Sequence, residues 1–273
     1  MPPALAAPAI VSLDQHRHKK ALGQHFLHER GVVDRIIRSL ALRPGERVVE
    51  IGPGAGALTF PLLEAHGDLS VIEFDRDLIE PLRAAGATRG KLHIVHADVL
   101  TVDLTALAAG TPFRLVGNLP YNISSPILFH VLDHATAVID MHFMLQKEVV
   151  DRMAAAPGGK DYGRLSVMLQ AYCEVIPLFV VPPGAFRPPP KVDSAVVRMK
   201  PLPADSIAIA DRAGFAALVK QAFAQRRKTL RNTLSGRASP AQMEAVGIDP
   251  GARAETLSVE QFIALANHLH STP

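Results

Sequence analysis

Short apolar runs alternate with amphipathic stretches along most of the chain. Val32, Val33, Ile36, Ile37 and Leu40 recur at helical spacing, and Pro44-Gly45 ends the helix they predict. Runs of strand length follow at Arg47–Ile51, Leu69–Ile72, Leu92–Val95, Phe113–Val116 and Met141–Leu145, with helical segments between them. One of these is Leu78–Leu82, and another starts at Gln146-Lys147-Glu148. Ser124-Ser125-Pro126 reads as a helix start, with a serine cap and an early proline. Leu165–Tyr172 is helical, Val175–Val181 returns as a strand, and Val192–Lys200 alternates as a last strand. Strand–helix alternation of this kind predicts an open α/β sheet. Pro201-Leu202-Pro203-Ala204-Asp205 then reads as a linker, and everything beyond it is helical. Phe215, Leu218, Val219, Ala222 and Phe223 form one apolar stripe. Lys220, Arg227 and Arg231 share a face of the same predicted helix, with Arg226 and Lys228 beside them and Gly236 at its end. A last helix spans Leu257–Leu269, begun by Ser258. The expected divisions are a mobile extension over 1–15, a catalytic domain over 16–201 and a helical domain over 205–273.

Open α/β sheets bind ligands beyond the carboxyl ends of their strands, so those ends decide the chemistry. The first strand runs into Gly52-Pro53-Gly54-Ala55-Gly56, with Glu50 just before. Glycines there allow a tight turn and close approach of a ligand to the backbone. No Gly-Lys-Ser/Thr follows, so this is not a Walker phosphate loop. The second strand ends in Glu73, roughly 20 residues past the first glycine, where nucleotide-binding folds place the acid that holds ribose hydroxyls. Asp98 lies past the third strand, placed to accept from an adenine amino group. The fourth strand ends in Asn118-Leu119-Pro120-Tyr121. These residues are also ordinary turn formers. Their place after three strand-end acids favours a loop that holds a flat base by an exocyclic amine.

Composition narrows the setting. The chain has 273 residues, 48% of them hydrophobic, which is ample for a large core. Its single cysteine, Cys173, rules out an internal disulfide framework and fits a reducing compartment. The Ala/Pro-rich N-terminus lacks the features of a signal peptide, and the longest apolar stretches are too short for a membrane span. The histidines show no zinc spacing, so no metal is expected. Net charge is only +3, yet 11 Lys/Arg stand against 3 Asp/Glu between Pro183 and Arg237. The remainder carries 18 against 23, so one region suits a polyanion.

Five segments together resemble the ribosomal RNA adenine-N6 dimethyltransferases, and among them the bacterial small-subunit (16S) type. They are Gly23-Gln24-His25-Phe26-Leu27, Glu50–Gly56, Asn118–Ser124, Phe186–Ser194 and Arg226–Asn232. The resemblance implies a Rossmann-like S-adenosylmethionine-dependent methyltransferase fold with a small all-helical C-terminal domain. It implies a cofactor site of His25, Leu27, Gly52, Glu73, Asp98 and Asn118. Many relatives carry Asn where this chain has His25, and Ala21 stands where an aromatic is expected. The Asn118 side-chain oxygen and the Pro120 carbonyl would accept the two N–H groups of adenine N6. Tyr121 would stack on one face of the base, and Phe186, presented by its flanking prolines, would stack on the other or close the pocket. Arg187, Lys191, Arg226, Arg227, Lys228 and Arg231 would meet RNA. The implied partner is 16S rRNA within the assembling small subunit, bound by a cytoplasmic monomer with no membrane contact. Three alternatives remain at this point: a large-subunit (23S) adenine methyltransferase, a nicotinamide-dependent oxidoreductase, and a non-catalytic assembly factor.

Overall fold

The computed structural model describes residues 25–271. The extension expected over 1–15, the basic cluster His16–Lys20 and the Gly23-Gln24 pair lie outside the described residues. The chain forms two compact units. One ends its first segment at Gln146 and adds Phe179–Val196; the other comprises Lys147–Leu178 and the chain from Val197. The sequence reading instead put a single boundary at 201–205. Nothing in the local pattern of 147–178 distinguishes helices of the second unit from crossover helices of the first.

The first unit opens with a two-residue strand, β1 (Phe26–Leu27), and helix α1 (Arg30–Leu40). The Glu29 carboxylate caps α1 by accepting from the Gly31 N–H, and Val33, Ile36 and Leu40 bury its apolar face. Then come β2 (Arg47–Ile51), α2 (Thr59–His66), β3 (Asp68–Glu73), α3 (Arg76–Gly86) and β4 (Lys91–His96). They are followed by α4 (Leu104–Ala108), β5 (Phe113–Asn118), α5 (Ser124–Asp133) and β6 (Val138–Gln146). Parallel pairing joins β4 to β3, β3 to β2, β2 to β5 and β5 to β6. Val49, Val71, Leu115 and Met141, one from each of four strands, are wholly buried, as a sheet covered on both faces requires.

The remaining elements are α6 (Lys147–Ala154), α7 (Arg164–Gln170), β7 (Cys173–Val181), β8 (Phe186–Arg187) and β9 (Ser194–Pro201). Helices α8 (Arg212–Ala222), α9 (Leu230–Thr233), α10 (Pro240–Glu244) and α11 (Val259–Ser271) complete the chain. The sheet order is β4-β3-β2-β5-β6-β9-β7, and β1 pairs with β8 in a separate antiparallel ribbon. From β2 the chain moves outward through β3 and β4, then returns to the other side of β2 at β5. That reversal makes a switch point at the carboxyl ends of β2 and β5, where a ligand crevice forms.

Two local expectations are corrected. Ser124 is the first residue of α5 and Ile123 its cap; the Ser124 hydroxyl instead donates to the Tyr121 carbonyl at 3.2 Å. The single basic helix is broken. Helix α8 stops at Ala222, turns follow, and α9 begins after Thr229. Thr229 forms a bridge with Arg253, and the Leu230 and Arg231 N–H groups donate to the carbonyls of Ala252 and Pro250. These bonds to a distant segment replace the helical ones, so Lys220, Arg227 and Arg231 do not share one helical face. The predicted stripe does form the core of α8, where Phe215, Leu218, Val219 and Ala222 are buried. At the last helix the Ser258 hydroxyl accepts from the Gln261 N–H while the Gln261 side chain accepts from Ser258 N–H, a reciprocal cap.

Candidate active site

The crevice at the switch point lies within the first unit and encloses about 310 Å³, a size suited to a small ligand. His25, Leu27, Gly52, Glu73, Asp98, Asn118, Pro120 and Tyr121 all line it. Residues distant in sequence meet because Gly52, Glu73, Asp98 and the Asn118–Tyr121 loop lie at or just past parallel strand ends, while His25 and Leu27 reach the crevice from the β1–β8 ribbon.

Close strand approach shapes the floor. A side chain at Gly117 would put its first carbon 2.7 Å from the Ile51 carbonyl oxygen, a backbone atom that cannot yield. Glycine there lets β5 lie flat beside β2. Gly54 adopts φ +55° with the Phe26 ring directly against it, so β1 covers the glycine turn.

Glu73 is 6% exposed and already organised. Its two oxygens accept from the Gly54 N–H at 3.1 Å and the Asp75 N–H at 2.7 Å. Burial raises its pKa, and these backbone donors act against the rise. The carboxylate therefore ties the end of β3 to the glycine turn and keeps lone pairs for a hydroxyl. Asp98 caps the short turn after β4 by accepting from the Leu100 N–H.

Glu50, the acid that the sequence places just before the glycine turn, joins them. It is 2% exposed, lines the crevice, and its Oε2 has no hydrogen-bond partner. Burial pushes its pKa up to about 8, with the nearby Glu73 charge adding to the rise. An orphaned carboxyl oxygen in the crevice wall fits the cationic end of a sulfonium amino acid. Without such a cation, Glu50 holds its proton at neutral pH. The unfolded chain would release that proton near 4.5, so the Glu50 contribution to stability is fully present below 4.5 and is lost as pH rises to about 8. The loss is on the order of 5 kcal/mol. Glu50→Gln should flatten this decline, and melting temperatures of both proteins from pH 4 to 9 test it. Parallel declines would mean that Glu50 ionises normally.

At the β5 end, the Asn118 side-chain N–H donates to the His25 carbonyl oxygen at 3.0 Å. A carbonyl can face only the nitrogen of the amide, so Asn118 Oδ1 is left as the acceptor available to a ligand. Pro120 differs from expectation, because the Ile123 N–H donates to its carbonyl at 3.2 Å. A second lone pair remains for another donor. The Tyr121 ring stacks on the His25 ring, with centroids 5.5 Å apart and planes 28° from parallel. His25 Nδ1 is held by the Pro188 carbonyl at 2.8 Å.

Phe186 does not face the crevice. It is 1% exposed, does not line the cavity, and pairs with Leu27 across the β1–β8 ribbon. The proline run fixes the path of the chain, but strand pairing turns the ring inward. Phe74, missed by sequence reasoning, lines the cavity and is 60% exposed. Its only signal was a large aromatic directly after the strand-end acid. His142 also lines the floor from β6. Of the basic residues, Arg187, Lys191, Arg227, Lys228 and Arg231 are exposed. Arg226 is committed within its own unit, donating to Glu255 at 3.0 Å and to the Lys160 carbonyl. No clustered metal ligands occur among the described residues.

Fold and crevice define an S-adenosylmethionine-dependent methyltransferase: a glycine turn after β2, an acid after β3 and the Asn118–Tyr121 loop after β5. Residues 15–271 match the ribosomal RNA adenine dimethylase family, and the chain belongs to it. It is 70% identical over 249 residues to "Ribosomal RNA small subunit methyltransferase A" of Xanthomonas campestris pv. campestris (strain B100), covering 91% of this chain and 95% of the relative. A relative of the same name from Xanthomonas axonopodis pv. citri is 68% identical over the same span. Among solved structures, a dimethyladenosine transferase from Plasmodium falciparum is similar with a TM-score of 0.75 and 25% identity, covering 88% of this chain and 96% of that one. The 23S rRNA methyltransferase ErmE is similar with a TM-score of 0.69 and 28% identity, covering 90% of this chain and all of the other. The family leaves the oxidoreductase reading without support.

Proposed function

We infer that this chain transfers methyl groups from S-adenosylmethionine to the N6 amino groups of adenines in 16S rRNA during small-subunit biogenesis. Two adjacent adenines in the 3′-terminal hairpin loop, each dimethylated, are the targets. The observation that carries the chemistry is the Asn118 amide, locked by the His25 carbonyl so that Oδ1 accepts. The small-subunit relatives at 70% identity favour 16S over the large-subunit target of ErmE.

An adenine amino nitrogen is a weak nucleophile because its lone pair is delocalised into the ring. When bound, the cofactor supplies an electrophilic sulfonium methyl. Asn118 Oδ1 and the Pro120 carbonyl accept the two N–H bonds and draw the nitrogen toward tetrahedral geometry, which localises the lone pair. Tyr121 offers a face to the base, where stacking is worth roughly 1–3 kcal/mol. Acceleration on this reading comes from orientation and from fixed polar groups rather than from a strong base. The cofactor residues on this reading are His25, Leu27, Gly52, Glu73, Asp98 and Asn118, and Glu50 and Phe74 join them because they line the same crevice. Phe186 is withdrawn as a stacking residue.

RNA contact is assigned to Arg187 and Lys191 on one unit and to Arg227, Lys228 and Arg231 on the other. The last three are exposed and have no salt-bridge partner among the described residues. Arg227→Glu combined with Arg231→Glu should weaken RNA binding and reduce the slope of log K against log salt by about 1.5. An unchanged slope removes this segment from the footprint. No helix among the described residues is long and apolar enough to cross a membrane, and we place the protein in the cytoplasm as a monomer.

The deciding experiment is labelled methyl transfer to unmethylated small subunits, with large subunits as control, followed by nucleoside analysis. Dimethyladenosine in small subunits alone supports the assignment. Label only in large subunits supports the ErmE-like alternative, and no label in either leaves a non-catalytic assembly factor.

A further inference from the structure

The Tyr121 hydroxyl is 2.6 Å from the hydroxyl of Ser194. Ser194 is the first residue of β9 and is fully buried. Its side of the bond is shielded from water, while Tyr121 stands half-buried at the crevice. Burial raises the Tyr121 pKa, opposed by the Ser194 bond, so the phenol stays neutral.

The geometry of a tyrosine makes this bond specific in what it controls. The phenol oxygen lies on the axis about which the ring rotates. Fixing that oxygen sets the direction in which the ring points but leaves its rotation free. The second constraint is the His25 ring stacked against Tyr121, itself held by the Pro188 carbonyl. Ser194 and His25 thus fix the two angles of one aromatic platform.

We propose that Ser194 is a positioning residue that acts through Tyr121 and matters most for the second methyl transfer to each adenine. The inference rests on the reading of Tyr121 as the stacking face. In the first transfer the N6 lone pair forms the N–C bond, the S–C electron pair stays on sulfur, and one N–H proton is released to water. The monomethylated nitrogen keeps a single N–H. Only one of the two acceptors, Asn118 Oδ1 or the Pro120 carbonyl, then still has a donor. The base loses half of its hydrogen-bonded grip while its stacking surface is unchanged. Orientation for the second transfer therefore leans on the platform, and the platform leans on Ser194.

The test uses the full chain, unmethylated small subunits and a time course of N6-monomethyl- and N6,N6-dimethyladenosine. The variants are Ser194→Ala, Tyr121→Phe and the double substitution; Tyr121→Phe removes the same bond without touching the buried strand. Each single variant should raise the mono-to-dimethyl ratio at half completion about fivefold, as expected for one neutral hydrogen bond. The double variant should do no worse than either single one, because both remove one interaction. S-adenosylhomocysteine affinity should stay at the wild-type value. An unchanged ratio in Tyr121→Phe overturns the proposal even if Ser194→Ala fails to fold. Equal slowing of both transfers also overturns it, since that is what a merely structural role produces. Tyr121→Ala separates the two levels of the argument. If it too methylates normally, the stacking assignment itself is wrong; if it is impaired while Tyr121→Phe is not, only the role of Ser194 fails.

Discussion

Asn118→Ala should lower turnover about 10²–10³-fold, the effect of deleting one preorganised polar group aimed at the reacting atom. The substitution removes the Oδ1 acceptor and also the N–H that binds the His25 carbonyl. The first loss acts on chemistry, because the adenine nitrogen then stays conjugated with its ring. The second loosens the chain segment over the crevice. Cofactor affinity should fall far less than turnover, since Glu73, Asp98 and the glycine turn keep their own bonds. Single-turnover methyl transfer alongside titration with S-adenosylhomocysteine separates the two. Turnover within a few-fold of wild type would remove the amide from the mechanism.

Glu73→Ala should act on the other half of the reaction. The carboxylate is expected to hold ribose hydroxyls, and charge-assisted bonds of that kind contribute about 1.5–3 kcal/mol each. Loss of a bidentate contact should weaken cofactor binding at least ~10²-fold. The substitution also strips the Gly54 and Asp75 N–H groups of their acceptor. Both are backbone donors at the crevice, and leaving a buried donor unmet costs about 1–3 kcal/mol. A lower melting temperature should therefore accompany the loss of affinity. Calorimetric titration with the cofactor and thermal melts of the free protein check both parts. Wild-type affinity would place the ribose elsewhere.

Much of the sheet was legible because buried parallel strands are continuous apolar runs, and their ends were marked by Glu73, Asp98 and Asn118. What stayed hidden depends on pairing between distant residues. Phe186 lies inward because β8 pairs with β1, some 160 residues earlier; a proline-rich flank cannot show that. The break between α8 and α9 depends on Thr229 meeting Arg253, while the local pattern of 215–231 is helical throughout. Phe74 escaped for another reason. It sits next to a residue with an obvious role, and a single aromatic carries no periodicity of its own. The commitment of Arg226 to Glu255 was invisible because surface charge patterns do not reveal which cation is already neutralised.

The two-rung ribbon of β1 and β8 has a mechanical consequence. Phe26 lies opposite Arg187 and Leu27 opposite Phe186, so the strap bearing His25 and the proline-rich run bearing Arg187 and Lys191 are joined as paired strands. If RNA phosphates engage that run as proposed, a pull on it would reach the strap, and the strap carries the oxygen that orients the Asn118 amide. Substrate docking and alignment of the reacting group would then be yoked through backbone.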